Sequence, residues 1–189
     1  MSTFLIECDR ATWQRYGFAD KPVDECRAIC EQVFSGVLDG HSLVSNKSVW
    51  RNFPWIWNEH WSFGNIVLLG DALHSAHFSI GSGTRLAIED GIALIKALEE
   101  ASDIASGLAR YAAVRKPLVQ KLVAAARASA DWYEHFPDHM KLGLMDFAHS
   151  YITRSGRISD DRLRAMAPSF MARYDAQASD GARQHSRGG

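Results

Sequence analysis

Two short clusters hold the residues of this chain best suited to chemistry. Gly70-Asp71 follows the apolar run Ile66-Val67-Leu68-Leu69, and Gly81-Ser82-Gly83-Thr84 precedes a segment of helical periodicity. An aspartate at the carboxyl end of a buried strand stands where open α/β sheets place ligands, and its oxygens accept from the hydroxyls of a sugar or ribityl chain. Gly70 lacks a Cβ, so the backbone there can approach a ligand closely. Gly81 and Gly83 bracket Ser82 at a helix start, which leaves backbone N–H groups for a partly negative ligand oxygen. A bare Gly-Asp is as well suited to a turn or a helix N-cap. The downstream glycines favour a cofactor cradle made of Gly70, Asp71, Gly81, Ser82, Gly83 and Thr84.

These clusters need a strand before them and a helix after them. Four consecutive aliphatic residues, Ile66 to Leu69, suit a strand covered on both faces. Leu86, Ala87, Ile88, Ile92, Ala93, Ile95 and Leu98 recur at helical spacing, with Glu89 and Asp90 favourable in the first turns. The common phosphate cradles do not fit: Leu86 stands where GxGxxG needs its third glycine, and no Lys-Ser or Lys-Thr follows Gly83. A metal does not fit either. His74 and His77, with His41 and His60, lack the HExxH spacing, and Cys26 and Cys30 have no second ligand pair. Cys8, Cys26 and Cys30 read as reduced, partly buried thiols, the last two on a helix from Val23 to about Leu38.

GDALHSAHFSIGSGTRLAIEDGIALIKALE resembles the second flavin-binding motif of the aromatic-ring flavoprotein monooxygenases, the class that includes p-hydroxybenzoate hydroxylase. The resemblance implies FAD as cofactor and NAD(P)H and O₂ as co-substrates. It implies that Asp71 bonds the ribityl chain, and that Gly81 to Arg85 lies against the pyrimidine end of the isoalloxazine. The positive end of the following helix would then face N1 and C2=O. Many members have proline at Phe78 and asparagine at Arg85, so those contacts do not carry over. HFSIGSGT followed by a basic residue, together with FLIEC, LVSNKSVWRNFP and ITRSGRISDDRL, is closer to the salicylyl-CoA 5-hydroxylases and 2-aminobenzoyl-CoA monooxygenases. That subgroup implies an aromatic substrate carried as a CoA thioester. The flavin delivers the oxygen, so no general base is required. His77 is the weak candidate for a catalytic contact near the substrate, and His74 orders the turn.

The expected fold is α+β, a partial α/β arrangement of the FAD/NAD(P)-binding type, mostly helical with a few strands. The sequence contains no GxGxxG, and the N-terminal Rossmann βαβ unit of the family is expected to be missing. Residues 1–64 are expected to form a remnant of the substrate-domain sheet, opened by the strand Phe4-Leu5-Ile6, plus a helix. Residues 65–136 hold the flavin motif and the following helices, and 137–189 a helical extension and a frayed tail from about Ala165. The expectation is an incomplete enzyme that carries little or no flavin as purified, either a truncated frame or one half of a split monooxygenase. The alternative is a non-catalytic helical interaction module.

The chain has 189 residues and 47% hydrophobic content, enough for a sizeable core, and its net charge of −1 offers no electrostatic footprint for nucleic acid or a membrane surface. No apolar run approaches the ~20 residues of a membrane span, and no secretory signal is visible, so the expected location is cytoplasmic. Trp50, Phe53, Trp55, Trp57, Trp61 and Phe63 crowd one stretch, as core packing or as walls for an aromatic substrate or the flavin. Ile104 to Val114 and Pro117 to Phe136 read as two helical segments, Pro117 starting or kinking the second. RYAAVRKP resembles a family helix that covers the nucleotide-binding domain. Its uncovered apolar face predicts self-association, or docking of a chain that supplies the missing half. Arg154 and Arg157 are either solvated loop charges or contacts for CoA phosphates.

Overall fold

A computed structural model describes residues 2–45 and 48–185, with the side chains of 178–185 left aside. Asn46 and Lys47 of the LVSNKSVWRNFP segment lie outside the described residues, as do the last four of the tail. The chain divides into two compact units, residues 1–53 and 54–189.

The first unit is built from α1 (Arg10–Tyr16), α2 (Val23–Val33) and α3 (Ser35–Leu38). Asp9 caps α1, accepting from Thr12 N at 2.7 Å, and Gly17 ends it in the left-handed region. Phe18, Cys26 and Cys30 form its core, Phe18 stacking on Trp50 at 4.5 Å. The three cysteines are free thiols, Cys26 and Cys30 buried. Two expectations are corrected here. The helix from Val23 breaks at Phe34 instead of running unbroken to Leu38. Phe4-Leu5-Ile6 is not a strand, because no strand among the described residues of this unit offers it a ladder.

The second unit opens on a short hairpin, β1 (Ser62–Phe63) paired antiparallel with β2 (Ile66–Val67). Two single turns of 3₁₀-helix follow, Gly70–Ala72 and Phe78–Ile80, and then α4 (Gly83–Glu99) and the 31-residue α5 (Ile104–Glu134). The expected strand to Leu69, covered on both faces, is shorter and more open than its composition predicts. With β1 as its strand neighbour among the described residues, Ile66 is 65% exposed.

α4 and α5 pack along each other and hold the core of Trp61, Leu73, Ala97, Tyr111, Val119 and Val123. Gly107 permits the close approach, since a Cβ there would meet Leu98 Cδ2 at 2.8 Å. Asp103 starts α5 by accepting from Ser106 N at 2.9 Å. The expected division at Pro117 is absent, and α5 runs through it. An interior proline costs ~3 kcal/mol of helix stability, which the buried Arg115 and Val119 on either side offset by anchoring both halves of the helix.

Beyond α5 come α6 (Phe136–His139), α7 (Leu144–Thr153), α8 (Asp160–Met166) and α9 (Pro168–His185). Trp132 organises this end, its ring stacked on His139 at 4.4 Å and its Nε1 donating to Ser150 Oγ at 3.2 Å. The expected frayed tail is instead largely the helix α9. Pro168 suits its first turn, Met171 is buried, and Tyr174 stacks on His149 at 4.2 Å. The described residues are mostly helical with two strands, a partial α+β arrangement. No helix among the described residues is long and apolar enough to cross a membrane.

Candidate functional site

The two sequence clusters meet on α4. Leu69 is extended, and Gly70 then turns at φ 56°, leading into the first 3₁₀ turn. Its Cα packs so closely on α4 that an added Cβ would lie 3.1 Å from Ala87 Cβ. The second 3₁₀ turn ends at Gly81, φ 60°, and Ser82 then leads into α4 at Gly83. Gly81–Thr84 thus leads into the first turn of α4, and Gly70-Asp71 docks beside Ala87, about one turn or ~6 Å along the axis from Gly83.

A buried charge network fixes this docking. Asp90 is fully buried; its Oδ2 accepts from Gly70 N–H at 3.1 Å and from His74 Nε2 at 2.8 Å, and its Oδ1 from Arg115 Nε at 2.8 Å. Arg115 also donates to Leu86 O at 3.2 Å and pairs with Glu89 at 3.0 Å. Burial raises the Asp90 pKa, but the bonds from His74, Arg115 and Gly70 N–H outweigh it and hold the carboxyl below the ordinary carboxylate value. An ionised Asp90 only accepts, so His74 carries its proton on Nε2. Burial, followed by the nearby Asp90 charge, pushes the Tyr111 phenol far up, and it stays neutral.

From the other side, residues 54–58 run antiparallel to 72–75. Ser75 N donates to Ile56 O at 2.9 Å, Ser75 Oγ to Pro54 O at 2.7 Å, and Asn58 Nδ2 to Ala72 O at 2.8 Å. Asp71, at the turn between these supports, is exposed, and no hydrogen bond or ion pair holds its carboxylate among the described residues. At the N-terminus of α4, Ser82 is buried with its Oγ donating to Ile80 O at 3.2 Å, so it does not cap the helix. A Cβ at Gly81 or Gly83 would meet nothing within 4 Å. The arrangement therefore offers a carboxylate acceptor and, a short distance away, open backbone around uncapped N–H groups. Such a pair fits a ligand with a hydroxylated chain and a partly negative ring edge.

His77 is buried in a ring stack between Trp55, at 6.1 Å, and Phe78, at 4.3 Å. Its Nδ1 accepts from Ser79 N at 3.3 Å, which orders the turn ahead of Gly81. The tryptophan-rich stretch divides between the two units: Trp50 belongs to the first core, Trp61 is buried in the second, and Trp55 lies 41% exposed beneath Arg127. Arg157 is exposed. Arg154 is half-buried, and it donates to Ser129 Oγ at 3.1 Å and to Tyr151 O at 2.6 Å.

Asp90 and Arg115 are the pair that sequence reasoning missed; it placed Asp90 at the helix dipole. The available signal was position on a stripe. Leu86, Asp90 and Ala97 share one face of α4, and Leu108, Tyr111, Arg115 and Val119 share one face of α5, so opposite charges stand on two facing apolar stripes.

Residues 16–126 match the family model described as FAD binding domain. Over 186 residues the chain is 37% identical to a salicyloyl-CoA 5-hydroxylase of a Streptomyces species, covering 93% of this chain and 36% of that protein. It is 41% identical to the 3-hydroxy-4-methyl-anthranilyl-[aryl-carrier protein] 5-monooxygenase of Streptosporangium sibiricum, over 84% of this chain and 40% of the other. It is 36% identical to the protodeoxyviolaceinate monooxygenase of Chromobacterium violaceum, over 82% of this chain and 42% of the other. The chain thus spans about two fifths of the length of these relatives.

Proposed function

The chain belongs to the FAD-binding-domain family, and on that premise we propose that it forms the ribityl- and ring-facing part of the flavin site of a monooxygenase that hydroxylates an aromatic substrate with NAD(P)H and O₂. The observation that carries this reading is the convergence of Gly70-Asp71 and Gly81–Thr84 on one end of α4. Bound FAD, once reduced, supplies the chemistry that activates O₂ and delivers one oxygen atom to the ring. The protein's own part is placement. Asp71 accepts from ribityl hydroxyls. The open turn Gly81–Gly83 admits the edge of the flavin ring, and the N–H groups and positive dipole end of α4 favour negative charge there. The rings of His77 and Phe78 stand directly ahead of that turn and wall the side from which an aromatic substrate approaches. Relatives named for a CoA thioester and for an aryl-carrier-protein substrate support an aromatic acid held as a thioester.

The test is titration of the 189-residue protein with FAD, followed by quenching of flavin fluorescence. Asp71→Ala is expected to weaken binding about 10- to 100-fold, the worth of hydrogen bonds to a charged acceptor, with an unchanged melting curve because Asp71 is exposed. Equal affinity in the two proteins overturns the assignment of Asp71. The protein is expected to be purified without FAD and to bind it weakly, the adenosine contacts being absent, so only a failure of both proteins to bind at about millimolar FAD overturns the cradle.

The sequence contains no GxGxxG for the adenosine half of FAD, and an apolar stripe favours the companion reading of one half of a split or longer enzyme. Ile88, Ile92 and Ile95 on α4 are 59%, 63% and 56% exposed. The wild-type protein is expected to show concentration-dependent mass in sedimentation equilibrium, and Ile92→Asp to shift it toward the monomer. A wild-type protein that stays monomeric at every concentration removes the self-association arm. A co-purifying polypeptide with GxGxxG supports the split enzyme, and an unrelated partner supports an interaction module.

A further inference from the structure

We propose that Arg154 is a positioning residue that holds the ring-facing turn Phe78–Gly81 from the far end of α7, so that the C-terminal helices are a working part of the site. The inference rests on the flavin reading above and extends it to residues beyond the matched segment, which ends at 126.

The turn is supported from two sides. Beneath it, the cluster of Ala76, Leu86 and Ala126, with Ile80 and Leu122 packed against it, seats the turn on α4 and α5. That contact is apolar and non-directional, so it fixes distance better than orientation. Arg154 supplies direction. Its Nη2 donates to Ser79 O at 3.4 Å, its Nε to Ser129 Oγ at 3.1 Å on α5, and its Nη1 to Tyr151 O at 2.6 Å on α7. The guanidinium plane rests over the Tyr151 ring at 4.1 Å, and Tyr133 lies 5.7 Å away. One planar fork therefore joins α5, α7 and the turn, a task a lysine cannot reproduce with its single point charge.

What Arg154 grips is the carbonyl of Ser79, the middle residue of a three-residue turn. Ser79 N bonds His77 Nδ1, and Gly81 N bonds Phe78 O at 2.8 Å. That carbonyl shares its peptide with Ile80 N–H, which donates to His77 O at 3.5 Å, and a rotation is passed through Ser79 Cα to the Phe78–Ser79 peptide, whose N–H meets the His77 ring and whose C=O holds Gly81. Holding that peptide sets both the wall ahead of the site and the open turn that receives the ring edge.

The experiment is amide hydrogen exchange on the full 189-residue protein, compared with Arg154→Ala and Ser129→Ala. Both variants are expected to speed exchange in the peptide spanning Ala76–Thr84, about tenfold for Arg154→Ala, and to leave the α4 and α5 core amides near Ala97 and Tyr111 unchanged. Unchanged protection of the turn, or a uniform rise through the core, overturns the proposal. Ser129→Ala decides the matter if Arg154→Ala does not fold, since it keeps the charge and removes one anchor of the same fork. The second readout is visible circular dichroism with FAD at saturation, where a positioning role alters the flavin band and a merely structural role leaves it unchanged. If the wild-type protein binds no FAD even at about millimolar concentration, the flavin reading fails, and hydrogen exchange still decides whether Arg154 holds the turn.

Discussion

Replacing Asp90 by alanine is expected to lower folding stability by about 3–5 kcal/mol, the usual cost of removing one partner from a buried ion pair. The reason is what stays behind. Arg115 is 6% exposed and would keep its charge with Glu89, itself partly exposed, as the remaining carboxylate. His74, 2% exposed, and the Gly70 N–H would each lose an acceptor as well. For a chain of this size the loss corresponds to a melting temperature lower by roughly 6–20 °C, measurable by circular dichroism or calorimetry. Arg115→Met should cost a similar amount, and Asp90→Ala with Arg115→Met should be less damaging than the sum, because the pair leaves together and an apolar side chain fills part of the gap. A strictly additive double variant would show that the two side chains do not act as a pair.

The same carboxylate sets a pH dependence with a definite sign. The Asp90 pKa is lower in the folded protein than in the unfolded chain, where carboxylates titrate near about 4. Its contribution is therefore fully present above that value and is lost as pH falls through the folded pKa. In Asp90→Asn the acid limb of stability against pH should flatten, while the plateau near neutrality is lower.

The parts of the site that were legible in sequence are those where backbone geometry dictates the residue. Gly70 and Gly81 adopt φ of 56° and 60°, a region that costs other residues energy, so their types reveal their conformation. Asp90 was not, because its meaning depends on an arginine 25 residues away and on which faces of two helices meet. Local propensity also misjudged Pro117, where burial on both sides outweighs the proline penalty, and the last helix, where Met171 and the Tyr174–His149 stack supply anchors no local pattern marks. Phe4–Ile6 fails in the opposite direction: the residues favour a strand, and a strand requires a partner.

Gly70→Ala is the substitution expected to damage stability and cofactor binding together. Two costs arise from separate causes. A non-glycine residue in the left-handed region loses ~1–2 kcal/mol, and a Cβ 3.1 Å from Ala87 Cβ forces a shift of a few tenths of an ångström between the turn and α4. Overpacking of that kind costs ~1–3 kcal/mol, so a total of about 2–5 kcal/mol is expected from denaturant unfolding. The causes can be separated by adding Ala87→Gly. That change alone costs ~1 kcal/mol of helix propensity, but it removes the contact, so the double variant should be more stable than additivity allows by about 1 kcal/mol. Strict additivity would mean the φ angle alone is responsible. Whether by relaxing the strained φ or by the packing shift, the turn moves the Gly70 N–H against Asp90 and carries Asp71 with it, so FAD affinity should fall even at temperatures where the protein remains folded. Asp71→Ala offers the contrast, with affinity lost and stability kept. A Gly70→Ala protein that melts as the wild type does and binds FAD equally well would show that neither the turn nor its seat on α4 is needed to place Asp71.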